Sequence, residues 1–262
     1  MTMPTQGRKV HSIEKAITLL DCFWTARRPL ALTELVQMTG WAKSTIHGML
    51  SSMTDSRVIE QNETDGKYRL GYHLFELGSA VNSSWSEISR ARARLLHIVT
   101  TTKESSYLAR LCGDDLLLAV CAEPSEGFRV STEEGTRIPL HCTSQGKVIL
   151  ANLPEATAKA MLERKGMHAY TPRTIQDWET LRGQLEEIRQ RGYALERSEY
   201  QVGLQSIGVP IFDGNGQCRY AISIVGVMRG TAWNEFDETL KLLMESAAAI
   251  SYDLGYRSGR PV

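Results

Sequence analysis

This chain of 262 residues lacks the features that would place it in a membrane or in a disulfide-linked scaffold. No apolar run approaches the roughly 20 residues that a membrane-spanning helix needs, and the N-terminus has no apolar core of the signal-peptide kind. The five cysteines are scattered and never form a CxxC pair, so neither a disulfide framework nor a zinc site is expected. We therefore expect a cytoplasmic protein with reduced thiols.

The chain also has no excess of charge of either sign, because 30 basic and 30 acidic residues cancel. Any binding of nucleic acid must therefore be local. Residues 1–52 carry six Lys/Arg against three Asp/Glu, a modest basic excess that is sufficient if two copies of the chain read two half-sites. The length favours two domains over one.

A helix-turn-helix pattern lies between Leu32 and Met53. The apolar spacing of residues 32–38 predicts a short helix that Thr33 could cap, and Gly40 supplies the turn. A second helix is predicted from about Ala42 to Met53. Its apolar face is opposed by small or polar side chains, namely Lys43, Ser44, Thr45, His47 and Ser51. Such a face is typical of a helix that enters the major groove of DNA.

A predicted β-hairpin directly follows the second helix. Residues 58–60 and 67–70 have strand character, and Asp65-Gly66 is a favoured hairpin turn. A hairpin in this position makes a winged helix, and it adds Lys67 and Arg69 to the DNA-binding candidates. An ordinary helical hairpin is the alternative for the helix pair alone, and the wing favours DNA binding over it.

Helical periodicity flanks this module on both sides. A first helix is predicted over residues 11–26, with Ser12 as its N-cap and Ile13 and Ile17 in its apolar stripe. A longer helix is predicted from Trp85 to Thr102, with an apolar seam that could pair with a second copy. Three arginines form its solvated face, namely Arg90, Arg92 and Arg94. We place the DNA-binding domain at residues 1–78, a linker helix region at 79–102 and a second domain at 103–262.

The second domain has segregated strands and helices. Alternating apolar residues predict strands at 105–111, 115–123, 128–135, 193–199, 206–213 and 218–227. Helices are predicted at 144–151, 155–164 and 175–191, with a closing helix from Trp233 to Leu254. This order predicts a mixed sheet flanked by helices, which is an α+β fold.

The whole chain, from about residue 10 to residue 257, resembles the IclR family of bacterial transcriptional regulators. The resemblance rests on the order of a winged helix, a linker helix and an α+β domain, and on five short motifs: PLHCTSQGK at 139–147, GYA at 192–194, GL at 203–204, VPIFD at 209–213 and AISI at 221–224. It implies a GAF-like effector domain that binds a small organic acid, and a homodimer or homotetramer on a palindromic double-stranded DNA operator. We favour a repressor, and no cofactor is expected.

The resemblance also implies where an effector binds. In family members that sense small α-keto acids the pocket uses backbone amides at a helix start, an acidic residue, a small polar residue and two serines on a strand. In this chain those places fall on Ser144, Gln145, Glu196, Ser206, Ser223 and Val225. Ser144, Gln145, Glu196 and Val225 depart from the family pattern, which favours a larger or partly apolar acid, aromatic acids included, over glyoxylate or pyruvate. Independently of the resemblance, the free N–H groups at a helix start attract an anion.

Three other interpretations stay open at this point. His141-Cys142 beside a helix start could make a thiol-dependent enzyme, although adjacent residues of an extended segment point to opposite sides. His141, Cys142, His168 and Cys218 could bind a metal, but no two of them have ligand spacing. The second domain could also serve only for oligomerisation, without a ligand. We expect no catalytic residue and no metal site.

Overall fold

The computed structural model describes residues 10–84, 86–228 and 236–257, and it does not describe the side chains of residues 81–87. The chain divides into two compact units, Met1–Ser84 and Trp85–Val262. Trp85 and Trp233, at which two predicted helices begin, lie outside the described residues. In the part of the chain that is described, no helix is both long and apolar enough to cross a membrane.

The first unit contains the predicted helix-turn-helix and hairpin. Its elements are α1 (His11–Ala26), α2 (Leu32–Thr39), α3 (Lys43–Asp55), β1 (Ile59–Gln61), β2 (Tyr68–Leu70) and α4 (Tyr72–Ser84). β1 and β2 pair antiparallel. Leu30 extends this hairpin, because its backbone N–H donates to the carbonyl of Tyr68 at 2.9 Å and its carbonyl accepts the N–H of Tyr68 at 2.8 Å. The wing is thereby attached to the segment between α1 and α2.

The turn between α2 and α3 follows the predicted chemistry, whereas the start of α2 does not. Gly40 ends α2 in the left-handed region at a φ of 70°, and its N–H donates to the carbonyl of Val36. Thr33 is not the cap, because α2 already begins at Leu32. Glu34 performs that role instead, since its Oε2 accepts the backbone N–H of Ala31 at 2.8 Å.

The apolar stripe predicted for α1 is wrong in its first two turns. Ile13 and Ile17 are 62% and 53% exposed, and the buried side chains are Leu19, Cys22 and Phe23. All of these lie in the second half of the helix, and in the first half Ala16 packs partly against the core of the unit. Ser12 is also not the N-cap, because α1 begins one residue earlier, at His11.

The second unit is an α+β domain, as predicted. Its elements are α5 (Ser86–Thr102), β3 (Ser105–Cys112), β4 (Asp115–Ala122), β5 (Arg137–Ile138), α6 (Ser144–Ala151), α7 (Glu155–Lys165), α8 (Trp178–Arg191), β6 (Ala194–Arg197), β7 (Leu204–Phe212), β8 (Cys218–Val227) and α9 (Phe236–Asp253). The strand order is β5-β4-β3-β8-β7-β6. Every pairing recorded among the described residues is antiparallel, so the prediction of a mixed sheet is wrong.

Alternation along the strands divides the core of this unit into two layers. On one face of the sheet, Tyr107 and Ala221 pack with α6, α7 and α8. On the other face, Leu108 and Ile222 pack with α5 and α9. Because successive strand residues point to opposite faces, one helical layer covers each side of the sheet.

The segment predicted as a strand at 128–135 is not one. Val130 is its single apolar residue that is partly buried, and Phe128 is 52% exposed, so the segment has no apolar face with which to join the sheet. It crosses the sheet as a loop, which we call the cover loop (residues 123–136). The helix predicted from residue 175 begins at Trp178, because the side chain of Asp177 accepts the N–H of Thr180.

Both faces of α5 make more contacts within the second unit than the sequence indicates. Its predicted apolar seam is buried within the second unit, where Ile88, Ala91, Leu95 and Ile98 are at most 5% exposed. The prediction that this seam pairs with a second copy is therefore wrong. The arginines of the predicted solvated face also have partners: Arg90 donates to the carbonyl of Asp253, Arg92 pairs with Glu134, and Arg94 pairs with Asp253.

Candidate functional site

The polar side chains of α3 are presented to solvent in the described structure. Lys43, Ser44, Thr45, His47 and Ser51 are all exposed. The opposite face is held in the core of the first unit by Ile46, Leu50 and Met53. α3 starts at Lys43 after Ala42, whose side chain forms no cap. The first N–H groups of this helix are therefore available to a phosphate as well as to solvent.

The wing presents less unpaired positive charge to DNA than its sequence indicates. Arg69 is exposed, but its Nε and Nη2 donate to Oε2 of Glu60 at 3.0 and 2.8 Å. This pairing also lowers the pKa of Glu60. The two residues face each other because Glu60 and Arg69 are opposite in the hairpin register. A DNA phosphate must therefore compete with Glu60 for Arg69, while Lys67, half-buried, is placed on the same hairpin.

The predicted effector residues of the second unit lie in two neighbouring rows across the sheet. In the first row Glu196 is opposite Ser206, Ser206 opposite Val225, and Val225 opposite Ser105. In the second row Gly208 is opposite Ser223, and Ser223 is opposite Tyr107. Both rows face α6, because residues two apart on a strand share a face.

The start of α6 lies directly on the second row. A Cβ placed on Gly208 would lie 2.7 Å from the carbonyl carbon of Ser144 and 3.0 Å from the backbone nitrogen of Gln145, so only glycine permits this approach. Thr143 caps the helix, since its Oγ1 accepts the N–H of Gly146. Among the described residues, no acceptor is recorded for the backbone N–H of Ser144 or of Gln145. These two donors are the ones a bound anion could use.

Gln145 occupies the space between the two predicted serines. Its Nε2 donates to Oγ of Ser223 at 2.5 Å, and its Oε1 accepts the hydroxyl of Ser144 at 3.4 Å. Both serines are fully buried. Their hydroxyls are thus occupied within the protein, and the side chain of Gln145 is what faces the space in front of α6.

That space is an inner cavity of about 110 Å³. Four of the predicted residues line it, namely Gln145, Glu196, Ser206 and Val225, whereas Ser144 and Ser223 lie behind Gln145. The remaining wall comes from β3, β4, the loop after β6 and the cover loop, and includes Tyr107, Leu118, Thr132, Tyr200 and Leu204. None of the described lining residues is Lys, Arg or His, so an anion here can be met only by hydrogen-bond donors.

Glu196 is more constrained than the sequence indicates. Oε1 of its carboxylate accepts the N–H of Glu199 at 2.6 Å and of Tyr200 at 3.3 Å, and Oε2 accepts the hydroxyl of Ser206 at 3.0 Å. Burial raises the pKa of Glu196, and these hydrogen bonds oppose the increase. Glu196 thus anchors the loop after β6. Because Ser206 gives its proton to Glu196, its oxygen is free to accept a hydrogen bond from the cavity side.

Sequence reasoning missed a buried ion pair behind the cavity. Lys147, fully buried on α6, donates to both carboxylate oxygens of Glu199 and to Oε1 of Gln184 at 2.9 Å. In the sequence, Lys147 stands among polar and small residues, as a lysine does in an exposed first turn of a helix, so its burial could not be predicted. The pairing joins α6 to the loop after β6 and to α8.

The thiol next to the cavity is not set up as a nucleophile. Burial, followed by the charges of Glu199 and Glu196, raises the pKa of Cys142 to about 12, so the thiol stays protonated at neutral pH. Nε2 of His141 bonds to the carbonyl oxygen of His168 at 3.0 Å, and burial lowers the pKa of His141. Within the described ranges, no group of three or more His, Cys, Asp or Glu is arranged to hold a metal ion.

Comparison with known families gives two adjacent matches. Residues 12–63 match the IclR helix-turn-helix domain, and residues 81–252 match the family described as bacterial transcriptional regulator IclR C-terminal. Between them these matches include both α3 and the inner cavity.

Individual proteins agree with these matches. The HTH-type transcriptional regulator XynR of Escherichia coli is 31% identical over 250 residues, which are 94% of this chain and 98% of XynR. The transcriptional repressor IclR of Escherichia coli is 28% identical over 97% of this chain and 93% of its own length. These relatives are regulators of transcription and not enzymes.

A solved structure supports the fold over nearly the whole chain. The IclR homologue from Microbacterium hydrocarbonoxydans, solved with 4-hydroxybenzoate, superposes with a TM-score of 0.80 at 24% identity, covering 93% of this chain and 98% of its own. At that identity the likeness establishes the fold alone.

Proposed function

The chain belongs to the IclR family of bacterial transcriptional regulators and is a DNA-binding regulator, and from this premise we propose that it is a repressor whose operator affinity is controlled by a small organic acid bound in the inner cavity. The observation that carries the proposal is the cavity at the start of α6, which no described cation lines and beside which the backbone N–H groups of Ser144 and Gln145 have no recorded acceptor. Relatives named as repressors support the sign of regulation.

For DNA, we propose that Lys43, Ser44 and Thr45 approach base edges in the major groove and that His47 and Ser51 extend the contact. Their common exposure on one face of α3 supports this. Lys67 and Arg69 would contact the phosphate backbone. Because phosphate contacts add across half-sites, two copies on a palindromic operator compensate for the modest basic excess of each.

The test of the DNA-binding face is the double variant Lys43→Ala/Thr45→Ala. We expect it to weaken operator binding by about 1–3 kcal/mol without loss of stability, because it removes base-edge contacts at exposed positions. The measurement is a salt titration of operator affinity, with DNA flanking the gene as probe. Lys159→Ala, which removes an exposed charge from α7, is the matched control. Unchanged affinity in the double variant would contradict the assignment.

For the effector, we propose that a carboxylate lies against the start of α6 and accepts the N–H groups of Ser144 and Gln145. A buried anion requires such donors where no cation is present. At the other end of the cavity Glu196 repels a second anion, whereas the free oxygen of Ser206 can accept a ligand hydroxyl. Between these ends Val225 supplies an apolar wall. This combination favours a hydroxy-acid, whose hydroxyl can donate to Ser206, over a simple carboxylate. A keto-acid is accommodated if the hydroxyl of Ser206 turns from Glu196 and donates to the keto oxygen.

A panel of organic acids, followed first by thermal shift and then by calorimetry on the full chain, tests this site. Ser144→Pro removes one donor at a helix position where proline is tolerated, so we expect it to lose about 1.5–3 kcal/mol of binding. Ser144→Ala keeps the N–H and is the matched control. Glu196→Ala should change which acid is preferred. Unchanged binding by a folded Ser144→Pro variant would place the effector elsewhere.

If no acid of the panel binds, the ligand-independent interpretation remains, in which the second unit serves only for assembly.

We propose that the protein assembles as a homodimer or homotetramer. Since the α5 seam is buried, the exposed apolar side chains of Val10, Ile13 and Ile17 on and before α1 are the more suitable surface for a second copy. Sedimentation of the wild type and of Ile13→Glu/Ile17→Glu at micromolar concentration tests this, and a monomeric wild type would contradict it.

A further inference from the structure

Two hollows adjoin in the second unit and share the side chains of Ile138 and Tyr200. The first is the inner cavity. The second, which we call the outer cleft, has a volume of about 200 Å³ and is bordered by His141, by Tyr170 and by the end of α7 at Lys165. Because the two hollows have these residues in common, the ring of Tyr200 stands between them.

The backbone that carries Tyr200 is held firmly. The hydroxyl of Thr171 donates to the carbonyl of Ser198 at 2.6 Å, and the hydroxyl of Thr174 donates to the carbonyl of Glu199 at 2.6 Å. On the other side, Glu196 accepts the N–H groups of residues 199 and 200. Any change in the partition must therefore come from the side chain of Tyr200 and not from movement of its loop.

The ring itself is held by much less. It meets the ring of Tyr170 edge-to-face, with centroids 5.1 Å apart and planes at 73°. Among the described residues, no hydrogen-bond partner of its hydroxyl is recorded, and the side chain is half-buried. Burial raises the pKa of Tyr200, so the ring stays neutral and has no ionic anchor. Of the two side chains that the hollows share, Tyr200 is thus the one whose ring is held by a single recorded aromatic contact.

The size of the inner cavity makes this partition important. A cavity of about 150 Å³ is the size known to accept benzene. The inner cavity, at about 110 Å³, is smaller than that. We therefore expect it to hold a short aliphatic acid, and we expect the phenyl ring of a larger acid to extend toward the outer cleft.

We propose that Tyr200 sets the size limit of the effector. With its ring in place the inner cavity accepts short aliphatic hydroxy- or oxo-acids, and with the ring removed it accepts aryl acids whose ring lies in the outer cleft. The proposal rests on the proposed function, because it assumes that an acid binds at the start of α6. It makes Tyr200 a specificity-determining residue that no part of the sequence argument identified.

The test uses two acids that differ only in the group beyond the shared 2-hydroxy acid, namely 2-hydroxybutyrate with an ethyl group and mandelate with a phenyl group. Calorimetry on the full wild-type chain should show binding of 2-hydroxybutyrate at least about tenfold tighter than that of mandelate. Tyr200→Ala should tighten mandelate binding by about tenfold and change 2-hydroxybutyrate binding by less than about threefold. Tyr200→Phe keeps the ring and should match the wild type. Val202→Ala, at a 76% exposed position of the same loop, is the second control.

Each other outcome overturns the proposal. If a folded Tyr200→Ala variant binds 2-hydroxybutyrate with no gain for mandelate, the ring is not the limit. If Tyr200→Phe gains as much as Tyr200→Ala, the hydroxyl and not the ring is responsible. If the wild type binds mandelate as tightly as 2-hydroxybutyrate, no size limit exists. If the wild type binds neither acid at millimolar concentration, the proposed effector class itself is overturned, and the proposal falls with it.

Discussion

Helices α3 and α6 begin with similar residues, but their first turns lie in opposite environments. Lys43-Ser44-Thr45 opens α3, while Ser144-Gln145-Gly146-Lys147 opens α6, so each start combines at least one hydroxyl group with one lysine. The residues that open α3 are exposed. Every residue of α6 is buried, and the side chain of Lys147 has no exposed surface. The same residue types thus provide an external face in one unit and an internal network in the other.

The difference shows that a polar helix start has two uses that residue type does not separate. On α3 the donors and the charge are left for a partner outside the protein. On α6 the lysine, Lys147, is paired with Glu199. The backbone N–H groups at the helix start are the donors left for a ligand. Substitutions at equivalent places should therefore change binding in the first unit and stability in the second.

Lys147→Met is the substitution from which we expect the largest change in stability. It leaves the carboxylate of Glu199 buried without its cation, and we expect it to lower the free energy of unfolding by about 3–5 kcal/mol. Chemical denaturation followed by circular dichroism measures this. Lys43→Ala, at the exposed lysine, should change it by no more than about 0.5 kcal/mol.

A second variant separates the charge from the packing. Lys147→Met/Glu199→Leu removes both partners of the ion pair, and it should recover much of the lost stability, since apolar replacement of a buried pair is often neutral. Equal stability losses for Lys147→Met and Lys43→Ala would break the comparison between the two helices.

An intermediate effect is expected at the glycine of α6. A Cβ on Gly146 would lie 2.6 Å from Cα of Leu140, against backbone that cannot turn aside. We expect Gly146→Ala to destabilise the second unit by about 1–3 kcal/mol. The midpoint of thermal unfolding is the measurement, and a variant as stable as the wild type would show that the contact relaxes.

The smallest effect, and one of opposite sign, is expected at the glycine of α3. A Cβ on Gly48 meets no atom within 4 Å, so Gly48→Ala should stabilise the first unit by roughly 0.5–1 kcal/mol through helix propensity alone. The same unfolding experiment checks this. A loss of stability at Gly48 would mean that α3 is packed more closely than its exposure indicates.

Elements with strong local signals could be predicted from the sequence. α6 and β8 have the bounds that the sequence predicted, because each carries a dense local run of apolar residues. Gly40 ends α2 as predicted, since the left-handed turn is a local requirement. Features that depend on distant partners could not be predicted in this way. The cover loop alternates like a strand, but it had no apolar face to contribute.

The candidate site likewise contains residues that the sequence identified and features that it could not show. Resemblance to a family located Gln145, Glu196, Ser206 and Val225, all of which line the inner cavity, although their roles stay predictions. It did not show that Glu196 anchors a loop, or that Lys147 is buried, because both facts depend on residues 199 and 200 across the fold. Tyr200 carried no signal at all, since its importance comes from the volume on each side of its ring.

The pairing of Arg92 with Glu134 is a contact of the second unit that dissolved salt can weaken. Glu134 belongs to the cover loop, whose residues Val130, Thr132 and Thr136 line the inner cavity, and Arg92 belongs to α5. Both side chains are 41% exposed, so dissolved ions screen their attraction, over about 10 Å at 0.1 M salt and about 3 Å at 1 M. We therefore expect salt to weaken this attachment of the cover loop to α5 as well as the phosphate contacts proposed for DNA. Effector titrations at several salt concentrations, with no DNA present, would separate the first influence from the second.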